Sequence, residues 1–293
     1  MKVISKNAVQ NQALGVRAVK WRPRLTQGGL LLGIGLAMLA TMLVVTIFAP
    51  FIVPFDPSAT SPDSLAGASA RHWLGTDSIG RDVLSRLIVG GRTTLLITIT
   101  AVFIALVGGL VLGLLSGYLG GLVDDVIMRV LDVVFAFPVM LLAIAVVAAL
   151  GPTIPNLILT IAIVYTPAMA RVVRAPVLSV KQWDHVEAAR SIGMSEFRLV
   201  LRHILPLVVS PILVATSLTL SQTIFTVTAL SFLGLGPPPP DPNWGGMLSE
   251  ARQFMELAPL TVIGPAAAIV FATLTFIILA NGLRDVFDVG SVR

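Results

Sequence analysis

The sequence predicts an all-α polytopic membrane protein with six transmembrane helices and a structured cytoplasmic loop between the fourth and fifth. Three observations lead there. Apolar residues fall in six long runs, each near the ~20 residues that a helix needs to cross a bilayer. Charged residues make up 12% of the 293, about half of the roughly 25% usual in a soluble domain. The mean hydropathy is +0.92, and the lysines and arginines cluster in alternate loops, which orients the runs.

The first 27 residues carry Lys2, Lys6, Arg17, Lys20, Arg22 and Arg24 with no acidic residue. They read as a cytoplasmic N-terminal segment. Residues 28–53 form the first anchor. Its apolar stretch exceeds the ~7–15 residues of a signal-peptide core, so it is expected to stay uncleaved.

Residues 54–92 read as an external loop. Here Arg71, Arg81, Arg86 and Arg92 stand against the positive-inside bias, balanced by Asp56, Asp63, Asp77 and Asp82. The segment around Asp77 and Arg81–Asp82 is expected either to contact partners or to pack as an external amphipathic helix.

The core domain, residues 93–283, holds the other five spans at about Thr93–Gly117, Val133–Leu150, Ile154–Val173, Ile204–Leu233 and Leu260–Leu283. The short link from Gly151 to Pro155 makes the third and fourth a hairpin. Gly109, Gly113, Gly117 and Gly121 recur every four residues and predict a helix-packing seam, beyond the glycine enrichment common in membrane helices. Asp132 is expected to pair with Arg129 one turn away. Thr219, Gln222, Thr223 and Thr226 share one face of the fifth span. They read equally as the lining of a water-filled translocation path or as contacts between helices. Pro237–Pro240 and Pro242 form a stiff connector. Residues 284–293 form a cytoplasmic tail.

Several chemistries are absent from the sequence. There is no cysteine, and His72, His185 and His203 are far apart without ligand spacing, so no metal site is expected. No G-x-x-x-x-G-K-[ST], HExxH or GxSxG occurs. The midplane stretches lack the ionisable residues that a secondary transporter needs. No catalytic constellation is expected, and the chain itself is expected to bind no cofactor.

The loop of residues 174–206 is richer. Val180, Trp183, Val186 and Ala189 (or Arg190) lie on one helical face, and Gly193 stands where a left-handed C-terminal cap would end that helix. Ser195 can cap a second helix with Glu196 in its first turn, and Pro206 marks the entry to the fifth span. A rigid helix bracketed by two spans transmits force to both. Tethering at both ends disfavours a DNA-binding helix-turn-helix, so no nucleic acid partner is expected. Glu187, alone on this helix, reads as a structural anion rather than a catalytic acid.

Glu187-Ala188-Ala189, Gly193 six residues after the glutamate, and Leu205-Pro206 together resemble the EAA loop of ABC importer permeases. The stretch from His72 through Gly75, Asp77 and Gly80 to Arg86 is similar to the C-type permease subunit of the dipeptide/oligopeptide/nickel family. So are Leu230–Gly236 with Trp244-Gly245, and Gly282–Asp285. These motifs span residues 70–288. The chain departs from the family pattern at His203, Leu207 and Val289.

The resemblance implies a type I ABC importer permease fold in a bacterial cell inner membrane, with both termini cytoplasmic. It implies ATPase coupling through Glu187, Ala188, Ala189, Gly193, Leu205 and Pro206. The implied partners are a homologous second permease, two cytoplasmic ATPase subunits holding ATP and magnesium, and an external or periplasmic solute-binding protein. The implied cargo is a di- or oligopeptide, with nickel or another small solute as the alternative, and the implied mechanism is alternating access.

Overall fold

The computed structural model describes residues 25–288. The rest of the basic N-terminal segment and residues 289–293 of the tail lie outside the described residues. Among the described residues the regular structure is helical, with a single β-bridge between Thr76 and Asp82. Helices α1 (Leu25–Ile47), α2 (Val83–Leu119), α5 (Ile154–Val180), α8 (Leu205–Leu230) and α10 (Leu260–Asp288) follow five of the six predicted runs. Between them lie α3 (Gly121–Phe135), α4 (Val139–Leu150), α6 (Asp184–Ser191), α7 (Glu196–Leu199) and α9 (Trp244–Ala251).

The third span departs from expectation. It is split into α3 and α4, bent by 84°, where the sequence suggested one helix from Val133. Pro138 has no N–H to donate and pushes Phe137 out of the helical region, so the break falls at Ala136–Pro138. α4 alone has 12 residues, about 18 Å at 1.5 Å per residue. Only with α3 does it reach the length of a span.

The glycine seam is real, but one position shorter than the spacing suggested. Gly109, Gly113 and Gly117 are buried on α2 against Met169, Ala170, Val173 and Val177 of α5. Ala101 and Ala105, also buried, extend the row outward. This lets the two backbones approach closely along the most extensive helix contact in the molecule. Gly121 is not part of it. Gly120 and Gly121 both adopt positive φ, 68° and 53°, which ends α2 and starts α3, and Gly121 faces open space. A second close approach, unforeseen, joins α1 to α10. There Gly35 meets the Leu279 backbone and Gly282 the Leu32 backbone.

Residues 54–82, expected to be external, form no amphipathic helix. They are pinned by polar contacts. Asp82 caps α2 by accepting from the Ser85 amide at 2.8 Å, and its other oxygen lies 2.8 Å from His72 Nδ1. Arg81 and Arg86 both donate to Glu250 of α9, at 2.7 and 2.9 Å, and Arg81 also donates to Asp77 at 2.6 Å. Trp244, the first residue of α9, lies over Gly91 and donates its indole N–H to the Leu87 carbonyl at 3.0 Å. Residues 54–82, α2 and α9 are thereby one body.

Asp132 pairs with Arg171 of α5 at 2.5 Å, and not with Arg129. The guanidinium also sits 3.9 Å over the Phe135 ring. Spacing along one helix pointed to a neighbour on α3, but the facing helix supplies a better-placed cation.

Candidate functional site: the loop of residues 174–206 and the face of α8

α6 begins after Trp183, whose carbonyl accepts from the amides of Val186 and Glu187 at 2.9 and 3.1 Å. It ends in the turn that Gly193 was expected to provide. Gly193 has φ +82°. Its amide donates to the Arg190 carbonyl at 3.0 Å, and the Met194 amide donates to the Ala189 carbonyl at 3.3 Å. These two bonds make a Schellman motif, which satisfies carbonyls that would otherwise be orphaned. Ser195 occupies the N-cap position of α7 with extended backbone, but its hydroxyl makes no capping bond. Only its carbonyl is used, by the Leu199 amide.

From α7 the chain runs without interruption into α8 through a wide π turn, Val200–Ile204. Pro206 explains the widening. It lacks an N–H, and its ring would collide with the carbonyl four residues back. The run from Glu196 to Leu230 is therefore helical without a break, and beyond it the wide turn Ser231–Leu235 carries Gly234 at φ +83°.

The loop is packed. Val186 and Leu199 are fully buried with Val177, Val180, Ile204 and Val208, and Tyr118 and Leu114 of α2 cover them. Withdrawing each such side chain from water contributes about 1.5–3 kcal/mol. Of the predicted inward face, Val180, Val186 and Ala189 are buried while Trp183 is nearly half exposed.

Among the predicted coupling residues, Glu187, Ala188 and Pro206 are exposed, Leu205 is partly covered and Ala189 is buried. Glu187 makes no side-chain hydrogen bond among the described residues; its carbonyl accepts from Ser191 at 3.0 Å. Two residues that the sequence reading passed over are the most conspicuous on this surface. Ile192 is 81% and Phe197 76% exposed, on either side of the Gly193 turn. Apolar residues among Arg190, Glu196 and Arg198 were the available signal.

Polar contacts fasten the loop to α2 and α3. Lys181 donates to the Gly117 carbonyl at 2.8 Å, Arg190 donates to the Tyr118 hydroxyl at 3.2 Å, and Arg174 grips Asp124 at 2.6 and 2.5 Å. Asp124 also accepts from Ser116.

The polar stripe on α8 divides. Thr219, Thr223 and Thr226 are buried, and Tyr165 of α5 and Thr226 join hydroxyls at 2.8 Å. Thr226 thus joins α8 to α5, while the buried Thr223 hydroxyl has no hydrogen-bond partner among the described residues. Gln222 alone is exposed, beside Phe225. Its face continues inward to a cavity of about 260 Å³ lined by Ser210, Pro211, Leu218 and Arg284. Among the described residues no group of three His, Asp or Glu side chains could hold a metal ion.

Residues 109–290 match the family described as "Binding-protein-dependent transport system inner membrane component". Over 249 residues the chain is 49% identical to the glutathione transport system permease protein GsiD of Shigella sonnei (strain Ss046), covering 84% of this chain and 82% of that one. It is 48% identical, with the same coverage, to the protein of that name in Escherichia coli (strain UTI89 / UPEC). Two solved structures share the fold. One is an amino acid ABC transporter crystallised with histidines (TM-score 0.55, 21% identity, 71% of this chain and 94% of that one). The other is the MetNI methionine ABC transporter in an inward-facing conformation (TM-score 0.56, 19% identity, 70% and 96%).

Proposed function

Because this chain belongs to the family of binding-protein-dependent transport system inner membrane components, we propose that it moves short peptides across the membrane, driven through its cytoplasmic loop by partner ATPases. It is a multi-pass inner-membrane permease subunit of an ABC importer of the dipeptide/oligopeptide family. The observation that carries the mechanism is the packed loop from Lys181 to Pro206, continuous with α8. A push on such a loop cannot be absorbed locally and must tilt the spans.

Glu187, Ala188, Gly193, Leu205 and Pro206 shape and present the coupling surface, with Ala189 buried beneath it. Ile192 and Phe197 are its apolar anchors. Two ATPase subunits hold ATP and magnesium, a homologous permease closes the path, and an external binding protein delivers cargo. Of the predicted path residues we retain Gln222, at whose depth an exposed amide is costly in lipid and natural in a water-filled passage. Both termini are cytoplasmic, as the basic residues before α1 and in the 174–206 loop favour.

Peptide cargo is supported by the relatives named for glutathione, a tripeptide. The test is reconstitution in liposomes with the partner permease, ATPases and binding protein. ATP-dependent uptake of radiolabelled glutathione and dialanine is the expected result. Uptake of nickel in their place would overturn the peptide assignment, and uptake driven by an ion gradient without ATP would overturn the coupling.

A further inference from the structure

The cytoplasmic loop is covalently continuous with α5 and α8, but α2 reaches it only through side chains. α2 has 37 residues, about 55 Å at 1.5 Å per residue, and it joins the two faces of the molecule. Its outer end is fixed to α9 through Arg86 and Glu250. Its inner end presents the last carbonyls of a helix, which lack partners within it and carry the negative end of the macrodipole.

Lys181 fills that position from outside the helix. It stands at the C-cap of α5, three residues before the start of α6, and its ammonium lies 2.8 Å from the Gly117 carbonyl and 3.5 Å from that of Tyr118. Arg190, on α6 itself, donates to the Tyr118 hydroxyl and lies 5.7 Å from its ring. Gly117 allows this geometry, because a methyl there would meet Val177 Cγ1 at 2.9 Å.

We infer that Lys181, capping the inner end of α2 in trans, is a positioning residue that makes α2 move with the cytoplasmic loop, so that ATPase motion reaches the outer face along α2. This deepens the coupling role proposed above and rests on it. α5 and α8 must follow the loop because they are one chain with it. α2 also lies along α5 through its glycine row, but Lys181 is what ties its last turn to the loop itself, and α2 carries the Arg86–Glu250 contact at its other end. Removing the clamp should loosen the last turn of α2 from the loop and weaken the response at that other end. Communication would then be weakened in both directions, since such coupling is reciprocal.

The test uses the full complex. The chain has no cysteine, so Leu119→Cys and Ser191→Cys, both exposed positions, take spin labels at those two sites alone before the complex is assembled and report the α2-to-α6 distance. The clamp predicts one narrow distance that is the same without nucleotide and with ATP trapped. Lys181→Met should broaden it. The variant should still assemble and hydrolyse ATP, but stimulation of hydrolysis by the loaded binding protein should fall about fivefold or more. Lys181→Arg should restore both. A distance that changes between the two states in the otherwise unaltered chain, or full stimulation in Lys181→Met, would overturn the inference. So would failure of Lys181→Met to assemble, since the lysine would then hold the loop's fold and not its coupling. The label distance can be read on the chain alone, so the clamp is judged separately if the ATPase coupling itself proves wrong.

Discussion

Gly117 of α2 and Val177 of α5 lie so close that a single added methyl would stand 2.9 Å from the valine's Cγ1. Gly113 is similarly confined by Val173 and Ala170. Replacing Gly113 or Gly117 with leucine should destabilise the subunit by about 1–3 kcal/mol, the usual cost of overpacking. Gly121→Leu has open space and meets only the positive-φ penalty, about 1–2 kcal/mol. Thermal unfolding in detergent should rank both seam variants at or below Gly121→Leu, with displacement of α5 seen only in the former.

Gly193 is constrained differently. Nothing lies within 4 Å of where its side chain would be, yet its φ is +82°. Gly193→Val should distort the turn at a cost of about 1–2 kcal/mol and sharply reduce uptake. Gly193→Asn, which tolerates the left-handed region, should retain most of it. Equal uptake in the two variants would show that the conformation is not what the position supplies.

Ile192→Asp and Phe197→Asp test the apolar anchors. Both side chains are exposed in the isolated chain, so its melting temperature should change little, within about 0.5 kcal/mol. ATPase co-purification should be lost. Retained association would move the docking surface elsewhere on the loop.

Glu250 is the shared acceptor for Arg81 and Arg86, whose side chains are 10% and 4% exposed, while its own is 38% exposed. Glu250→Gln leaves two largely buried cations with Asp77 alone. The cost should be about 1–3 kcal/mol, below that of breaking a fully buried pair because water reaches the carboxylate. Calorimetry on Glu250→Gln beside Glu250→Asp would measure it.

Tyr165→Phe removes a hydroxyl from the buried pair with Thr226 and should cost about 1 kcal/mol, with uptake nearly unchanged. Gln222→Leu should do the reverse, sparing stability and lowering uptake. If both variants leave uptake intact, the face of α8 around Gln222 does not line the path.

The helices were legible because each is an unbroken apolar run, and the Gly193 turn because left-handed caps favour one residue type. What escaped the sequence depended on partners distant along the chain. Arg129 was the nearest cation to Asp132 in sequence, but Arg171 is nearer in space. Gly121 continued a perfect spacing, but spacing does not record that Gly120 has already ended the helix. The four polar residues on α8 looked equivalent, but three are buried, Thr226 against Tyr165 of α5, and Gln222 is not. Lys181 gave no sign at all, since nothing in its neighbours names a carbonyl 64 residues earlier.

The shortness of α4 bears on how the chain is made. At 12 residues it is too brief for the roughly 30 Å hydrocarbon layer, and α3 before it carries Asp124, Asp125, Arg129 and Asp132. A nascent chain halted after Leu150 would therefore hold no stable third crossing. Only when α5 emerges, tied to α4 by the three-residue link of residues 151–153, can the two enter as a pair. Insertion of this hairpin is therefore expected to wait for α5, which precedes the 174–206 loop in synthesis.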